Sequence, residues 1–190
     1  MYRATRSITG KILSITCMVT TLLLCNQPLQ AKSGSFEMHI PDAILAQYMS
    51  AARENPKAQR FSLPLLRVFS KGGILIHESL GFSGKRQLRH ELLRAMRRNR
   101  PIKGASVLAS YLRDALGEDN RKYTPGEFQD ADFVLVENWA SWCAPCTLQH
   151  RALQKFLDSE SDRNIILVHL ETDIMRATRK PGSTTNGQMH

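Results

Sequence analysis

Cysteine is scarce in this 190-residue chain, and its placement says more than its number. Cys17 and Cys25 lie in an apolar N-terminal stretch, which leaves Cys143 and Cys146 alone in the remainder. One pair three residues apart does not make a disulfide-stapled scaffold, and no second pair completes a four-cysteine zinc tetrahedron. Long hydrophobic runs are also missing. The best, Ile12 to Cys25, covers 14 residues and is broken by Ser14, Thr16, Thr20 and Thr21, whereas a spanning helix needs roughly 20. Acidic residues are outnumbered 17 to 26 by Lys and Arg, for a net charge of +9. Met38, Met49, Met96 and Met175 are scattered, so there is no methionine-rich copper motif. No internal repeat and no interleaving of basic with aromatic residues point to a repeat array or a nucleic-acid binder.

What is present begins with a leader. Arg3, Arg6 and Lys11 form a positive region without acidic residues, the apolar run follows, and Pro28-Leu-Gln-Ala31 offers a cleavage site. Residues 1–31 therefore read as a secretory signal peptide, with an uncleaved N-terminal membrane anchor as the alternative. Leu24 is too large for a good lipoprotein cleavage site before Cys25. Loss of the leader lowers the net charge to +6 and removes two of the four cysteines. The expected location is periplasmic or secreted. Much of the remaining charge is local: seven Lys or Arg lie between Lys85 and Arg100 against Glu91 alone.

Apolar residues Ile44, Leu45, Tyr48, Met49 and Ala52 recur at helical spacing after Pro41-Asp42, which predicts a helix to about Glu54. Leu65–Phe69 and Ile74–Leu80 read as strands of a hairpin turned by Ser70-Lys-Gly-Gly73. Ser83 is a candidate cap for the next helix, where Leu88, Leu92, Leu93 and Met96 form the apolar stripe and Pro101 is the stop. Ala105–Leu116 suggests a short amphipathic helix closed by Gly117, and Glu118–Asp132 a loop. Strand Phe133–Asn138, a helix from about Cys143 to Leu157 and strand Ile165–Leu170 complete a βαβ unit. Both of its strands are continuous apolar runs, as parallel strands covered on two faces require. Leu148, Leu153, Phe156 and Leu157 are assigned to the buried face of its helix. The expected organisation is a signal peptide (1–31), a helix and ββα half (32–100), a linker with a short helix (101–132), a βαβ half (133–177) and a disordered tail (178–190).

The chemistry concentrates in Glu137-Asn-Trp-Ala-Ser-Trp-Cys-Ala-Pro-Cys146, where the first strand of that unit runs into Cys-x-x-Cys. A thiol at a helix N-terminus is favoured as thiolate, and a second thiol one turn deeper can attack the mixed disulfide made by the first. Cys143 is the expected exposed nucleophile and Cys146 the resolving residue. Pro145 is tolerated because its missing N–H falls among the unpaired donors of the first turn. Trp142 is expected beside the sulfurs, excluding water. Glu137 interrupts an apolar strand, where a carboxylate is costly unless it has a role. Beneath the dithiol it would take the proton from Cys146 at the resolving step.

This stretch resembles the thioredoxin superfamily, and within it the exported TlpA/ResA-type thiol–disulfide oxidoreductases. The resemblance matches Cys143 to the nucleophile, Cys146 to the resolving cysteine and Glu137 to the buried acid; Asn138 stands where an aromatic is common. It implies an α/β, thioredoxin-like fold, an enzyme acting on protein disulfides, no bound cofactor, and a membrane or periplasmic redox partner. Reduction is the favoured direction. The order of elements departs from the family. The ββα unit that should follow the βαβ unit lies upstream, at Ser62–Gly81 and the helix after it. A circularly permuted domain is therefore expected, with Pro64 as its cis-proline and Leu63-Pro64 positioning substrate opposite the dithiol. Residues 101–132 can reach about 100 Å if extended, enough to connect the halves. A truncated domain, or completion of the sheet by another chain, are the rival readings.

Three further features carry two readings each. His150, four residues after Cys146, is a surface histidine or part of a Cys/Cys/His metal site; no metal is expected. His169, with Glu171 and Asp173 beyond it, is read as an ordinary strand-end polar group. The basic helix 85–100 is a solvated face or a contact for an anionic surface, and no nucleic acid is expected. The alternative to an enzyme is a module that uses the dithiol as a soft ligand for Cu(I) or to bind a partner without turnover.

Overall fold

The computed structural model describes residues 34–54 and 62–177. The leader and the C-terminal tail lie outside the described residues. Six strands form one sheet in the order β3-β2-β5-β6-β1-β4. These are β1 (Gly34–His39), β2 (Leu65–Ser70), β3 (Leu75–Leu80), β4 (Leu116–Gly117), β5 (Phe133–Trp139) and β6 (Ile165–Glu171). The helices are α1 (Asp42–Glu54), α2 (Lys85–Arg98), α3 (Leu108–Tyr111), α4 (Ala144–Ser159) and α5 (Ile174–Ala177), with a 3-10 turn at Pro125–Phe128. Among the described residues no helix is long and apolar enough to cross a membrane.

β5 and β6 run parallel at the centre, paired from Phe133↔Ile165 to Trp139↔Glu171. Each side chain along β5 alternates between two cores. Val134 and Val136 join Met38, Leu45, Phe69 and Val168 under α1 and the long connection. Leu135 joins Leu66, Leu88, Leu92, Leu153 and Phe156 under α2 and α4. Burial of both faces leaves no place for alternation between polar and apolar residues, so the strands read as unbroken apolar runs. The upstream hairpin docks on the free edge of this unit. β2 pairs antiparallel with β5 from Leu65↔Asn138 to Ser70↔Phe133, and β3 pairs with β2. Two segments in inverted order along the chain thus share one sheet, as the permuted reading expects.

Four expectations are corrected. The strand β1 was not foreseen; it adds parallel to β6, from Gly34↔Ile166 to His39↔Glu171. Its Ser35, Glu37 and His39 fall on one face, so its apolar content is only half that of β5. The helix expected over 105–116 shrinks to Leu108–Tyr111, and Leu116–Gly117 pairs with β1 instead. α2 starts at Gly84, which has φ 97° and no side-chain cap, so Ser83 does not cap it. Leu148 is exposed and Ala152 takes its place on the buried face of α4.

Candidate active site

β5 ends at Trp139, and the chain crosses to α4 through Ala140-Ser-Trp-Cys143. Cys143 is the N-cap of α4 and its Sγ accepts the Cys146 N–H at 3.3 Å. Cys143 and Cys146 are bridged, with Cα atoms 5.3 Å apart. Pro145 lies in the first turn, where its missing donor costs nothing. Cys143 is buried, at 5 % exposure, as is Cys146, so the sequence expectation of an exposed first cysteine does not hold in the bridged state.

What covers the sulfurs is Leu63 and Trp139, packed against Ala140, Cys143 and Cys146. Leu63 arrives by register: β2 meets Asn138 at Leu65, so the two residues before β2 reach the level of the dithiol. The Leu63–Pro64 peptide is cis and Pro64 is buried. The hairpin therefore closes over the site from the upstream half of the chain. Trp142 has a different place from the one expected. It is 51 % exposed, and its indole N–H donates to Asp173 Oδ1 at 3.0 Å. Trp139 is the tryptophan that packs with the cysteines.

Asp173 organises the rim. Besides Trp142 it accepts the Ser141 hydroxyl at 2.7 Å and the backbone N–H groups of Met175 and Arg176 at 3.0 and 3.1 Å. Burial raises the Asp173 carboxyl, but the bonds from Ser141, Arg176, Trp142 and Met175 outweigh it and hold the group below the usual carboxylate range. Thr172 completes the clamp by donating its N–H to the Trp139 carbonyl at 2.8 Å.

Glu137 is fully buried on the face of β5 that meets α4. Its Oε1 accepts Gln149 Nε2 at 3.1 Å, one turn beyond Cys146. Its Oε2 lies 3.0 Å from His169 Nδ1 and 3.6 Å from His150 Nδ1. The two imidazole rings are 4.1 Å apart at their centroids. Sequence reasoning missed Gln149 and gave His169 no role. The signal for His169 was available, since parallel register sets it beside Glu137 once β5 and β6 are recognised as neighbours. Asn138 points to the opposite core, where its Oδ1 accepts the Tyr111 hydroxyl.

The arrangement can hold a dithiol in bridged or open form in one βαβ unit with a buried carboxyl. No family model matches the chain. Over 46 residues it is 41 % identical to a thioredoxin of Mycoplasma genitalium, covering 23 % of this chain and 45 % of that protein. The chain thus spans less than half the length of the curated relative it matches. No solved structure matches. The similarity and the sheet are compatible with a thioredoxin-like α/β fold, and the bridged pair points to thiol–disulfide chemistry.

Proposed function

We propose that this protein is an exported thiol–disulfide oxidoreductase that reduces disulfides of other proteins. The observation that carries the reading is the bridged Cys143–Cys146 pair at the mouth of α4, covered by Leu63 of the upstream hairpin. In the reduced protein the Cys143 thiolate attacks one sulfur of a substrate disulfide. The substrate S–S bond breaks, its leaving thiolate takes a proton from solvent, and a mixed disulfide remains on Cys143. Cys146 then gives its proton to Glu137 and attacks the Cys143 sulfur, releasing the second substrate thiolate. Substrate gains two electrons and the protein ends with the Cys143–Cys146 bridge, which an external dithiol must reopen.

The residues around the pair suit these steps. The N-terminus of α4 favours the Cys143 thiolate. Glu137 sits on the helix side of β5 and is bonded to Gln149, one turn beyond Cys146. Leu63 and the half-exposed Trp142 offer apolar surface to an extended substrate segment. Export follows from the charge and apolar pattern of residues 1–31, and a membrane or periplasmic partner would supply the electrons. The cationic face of α2 would contact an anionic surface.

Insulin disulfide reduction with a dithiol donor tests the reading. Cys143→Ser is expected to abolish turnover, and Cys146→Ser to trap a mixed disulfide visible by mass spectrometry. Turnover unchanged in Cys143→Ser would overturn the reading, while stoichiometric Cu(I) uptake without exchange would move it to a metal-handling module.

A further inference from the structure

Three strands place three ionisable residues in one row. Register pairs Glu37 of β1 with His169 of β6, and His169 with Glu137 of β5. α4 sets His150 over the same row, with its ring against that of His169. Glu137 Oε1 is occupied by Gln149, so Oε2 is the atom that faces both Nδ1 nitrogens. The ligand atoms of Glu137, His150 and His169 all lie within 4.8 Å of one another.

We propose that Glu137, His150 and His169 bind one divalent transition-metal cation of the zinc class. Zn–N and Zn–O bonds of about 2.0–2.2 Å in tetrahedral geometry put neighbouring ligand atoms about 3.3–3.6 Å apart. The Glu137–His169 and Glu137–His150 separations, 3.0 and 3.6 Å, bracket that range, and the full set lies within 4.8 Å, so the two imidazoles would draw together on the ion. Two imidazoles and one carboxylate suit Zn²⁺ or Cu²⁺ and disfavour Mg²⁺ and Ca²⁺, which take oxygen ligands. The His150 side chain is 46 % exposed and provides the route in from solvent, and the fourth coordination position would lie on that side.

The second ring nitrogen of His169 supports the assignment. His169 Nε2 is buried and without a hydrogen-bond partner, with Glu37 Oε1 4.0 Å away. If Nδ1 donates to Glu137, Nε2 is left as a buried acceptor that faces the Glu37 carboxylate. If Nδ1 ligates a cation, the proton moves to Nε2 and points at the Glu37 carboxylate. That is the outer-shell arrangement in which metal-bound histidines are commonly held. Register sets Glu37, His169 and Glu137 in a row across β1, β6 and β5, and closing the 4.0 Å gap between Glu37 and His169 Nε2 would complete that arrangement.

A consequence rests on the reading of Glu137 as proton acceptor. A cation on Oε2 competes with the proton of Cys146, so it would slow the resolving step without touching either sulfur. The site would make the redox centre answer to the availability of the metal.

The test uses the oxidised full chain with Cys17 and Cys25 alkylated, so that no thiol binds metal. Titration with Co²⁺ is expected to give one-to-one binding with the visible bands of a four-coordinate ion, displaced by Zn²⁺. His150→Ala, at a half-exposed position, is expected to weaken binding by at least about tenfold, and Glu37→Gln by about tenfold, the low end for an outer-shell partner. Absence of saturable binding, or equal affinity in His150→Ala, would overturn the site. This measurement needs no turnover, so an inactive enzyme would leave it standing. In the insulin assay, Zn²⁺ is expected to inhibit the unmodified chain more than His150→Ala. Equal inhibition of the two would assign the effect to the thiols and overturn the braking role.

Discussion

Two buried carboxyls bracket the dithiol, and they are held in opposite ways. Asp173 at the rim accepts four hydrogen bonds, two from side chains and two from backbone N–H groups. Glu137 has one amide donor on one oxygen and two imidazole nitrogens around the other. Four fixed donors turn the first carboxyl into a clamp. Ring nitrogens, which can donate or accept, leave the second open to exchange partners. The difference teaches that burial alone does not identify a working acid; the chemistry of its partners does.

The contrast breaks most readily at Glu137. Glu137→Gln keeps the shape but removes the proton acceptor, and turnover is expected to fall by about 10²-fold, the low end of general-base effects. Rapid-quench detection of the mixed disulfide should show that its formation is preserved and its resolution slowed. Loss of both steps together would erase the distinction between the two carboxyls. Asp173→Ala should do the reverse. Removing the acceptor breaks four hydrogen bonds whose donors lie near solvent, and is expected to cost about 1–2 kcal/mol, read from urea unfolding of the oxidised protein. The mixed disulfide should still form and resolve, with weaker substrate binding as Trp142 loses its anchor.

Acid sharpens the same comparison with the smallest effect. Asp173 is held below the usual carboxylate range in the folded state, so its contribution to stability is complete above the unfolded pKa of about 3.9. It fades as pH falls through the lower, folded value. Unfolding midpoints measured between pH 5 and pH 2, to the order of these boundaries, should decline in the unmodified chain and decline less in Asp173→Asn. Parallel curves would show that the clamp does not depend on charge.

How much of this was legible differs along the chain. β5, α4 and β6 announce themselves because burial on both faces demands continuous apolar runs and because Cys-x-x-Cys marks the helix mouth. The hairpin β2–β3 was readable from its glycines and the short apolar runs on either side. β1 was not, because Phe36 and Met38 alternate with Ser35, Glu37 and His39, and six such residues carry little periodic signal. The segment 105–116 misled for another reason. Its apolar residues are spaced as on a helix, but Leu108, Leu112 and Ala115 are buried, and Ala105 half-buried, by the packing of an irregular connection. Local propensity is weak there, and tertiary contacts decide.

The sequence by itself determined the dithiol, its helix mouth, the acid six residues before it and the two halves of the fold. Each of these is local, written in spacing and in runs of apolar side chains. Only the tertiary structure decided which groups meet them. Leu63 lies eighty residues from Cys143 and reaches it because β2 pairs with β5. His169 becomes the partner of Glu137 because parallel strands set residues 32 apart side by side. Trp142 stands half-exposed at the rim because Asp173 takes its indole N–H, while Trp139 packs inward with the cysteines. Register and sheet order are collective outcomes of burying both faces of the sheet, and no single stretch of sequence encodes them.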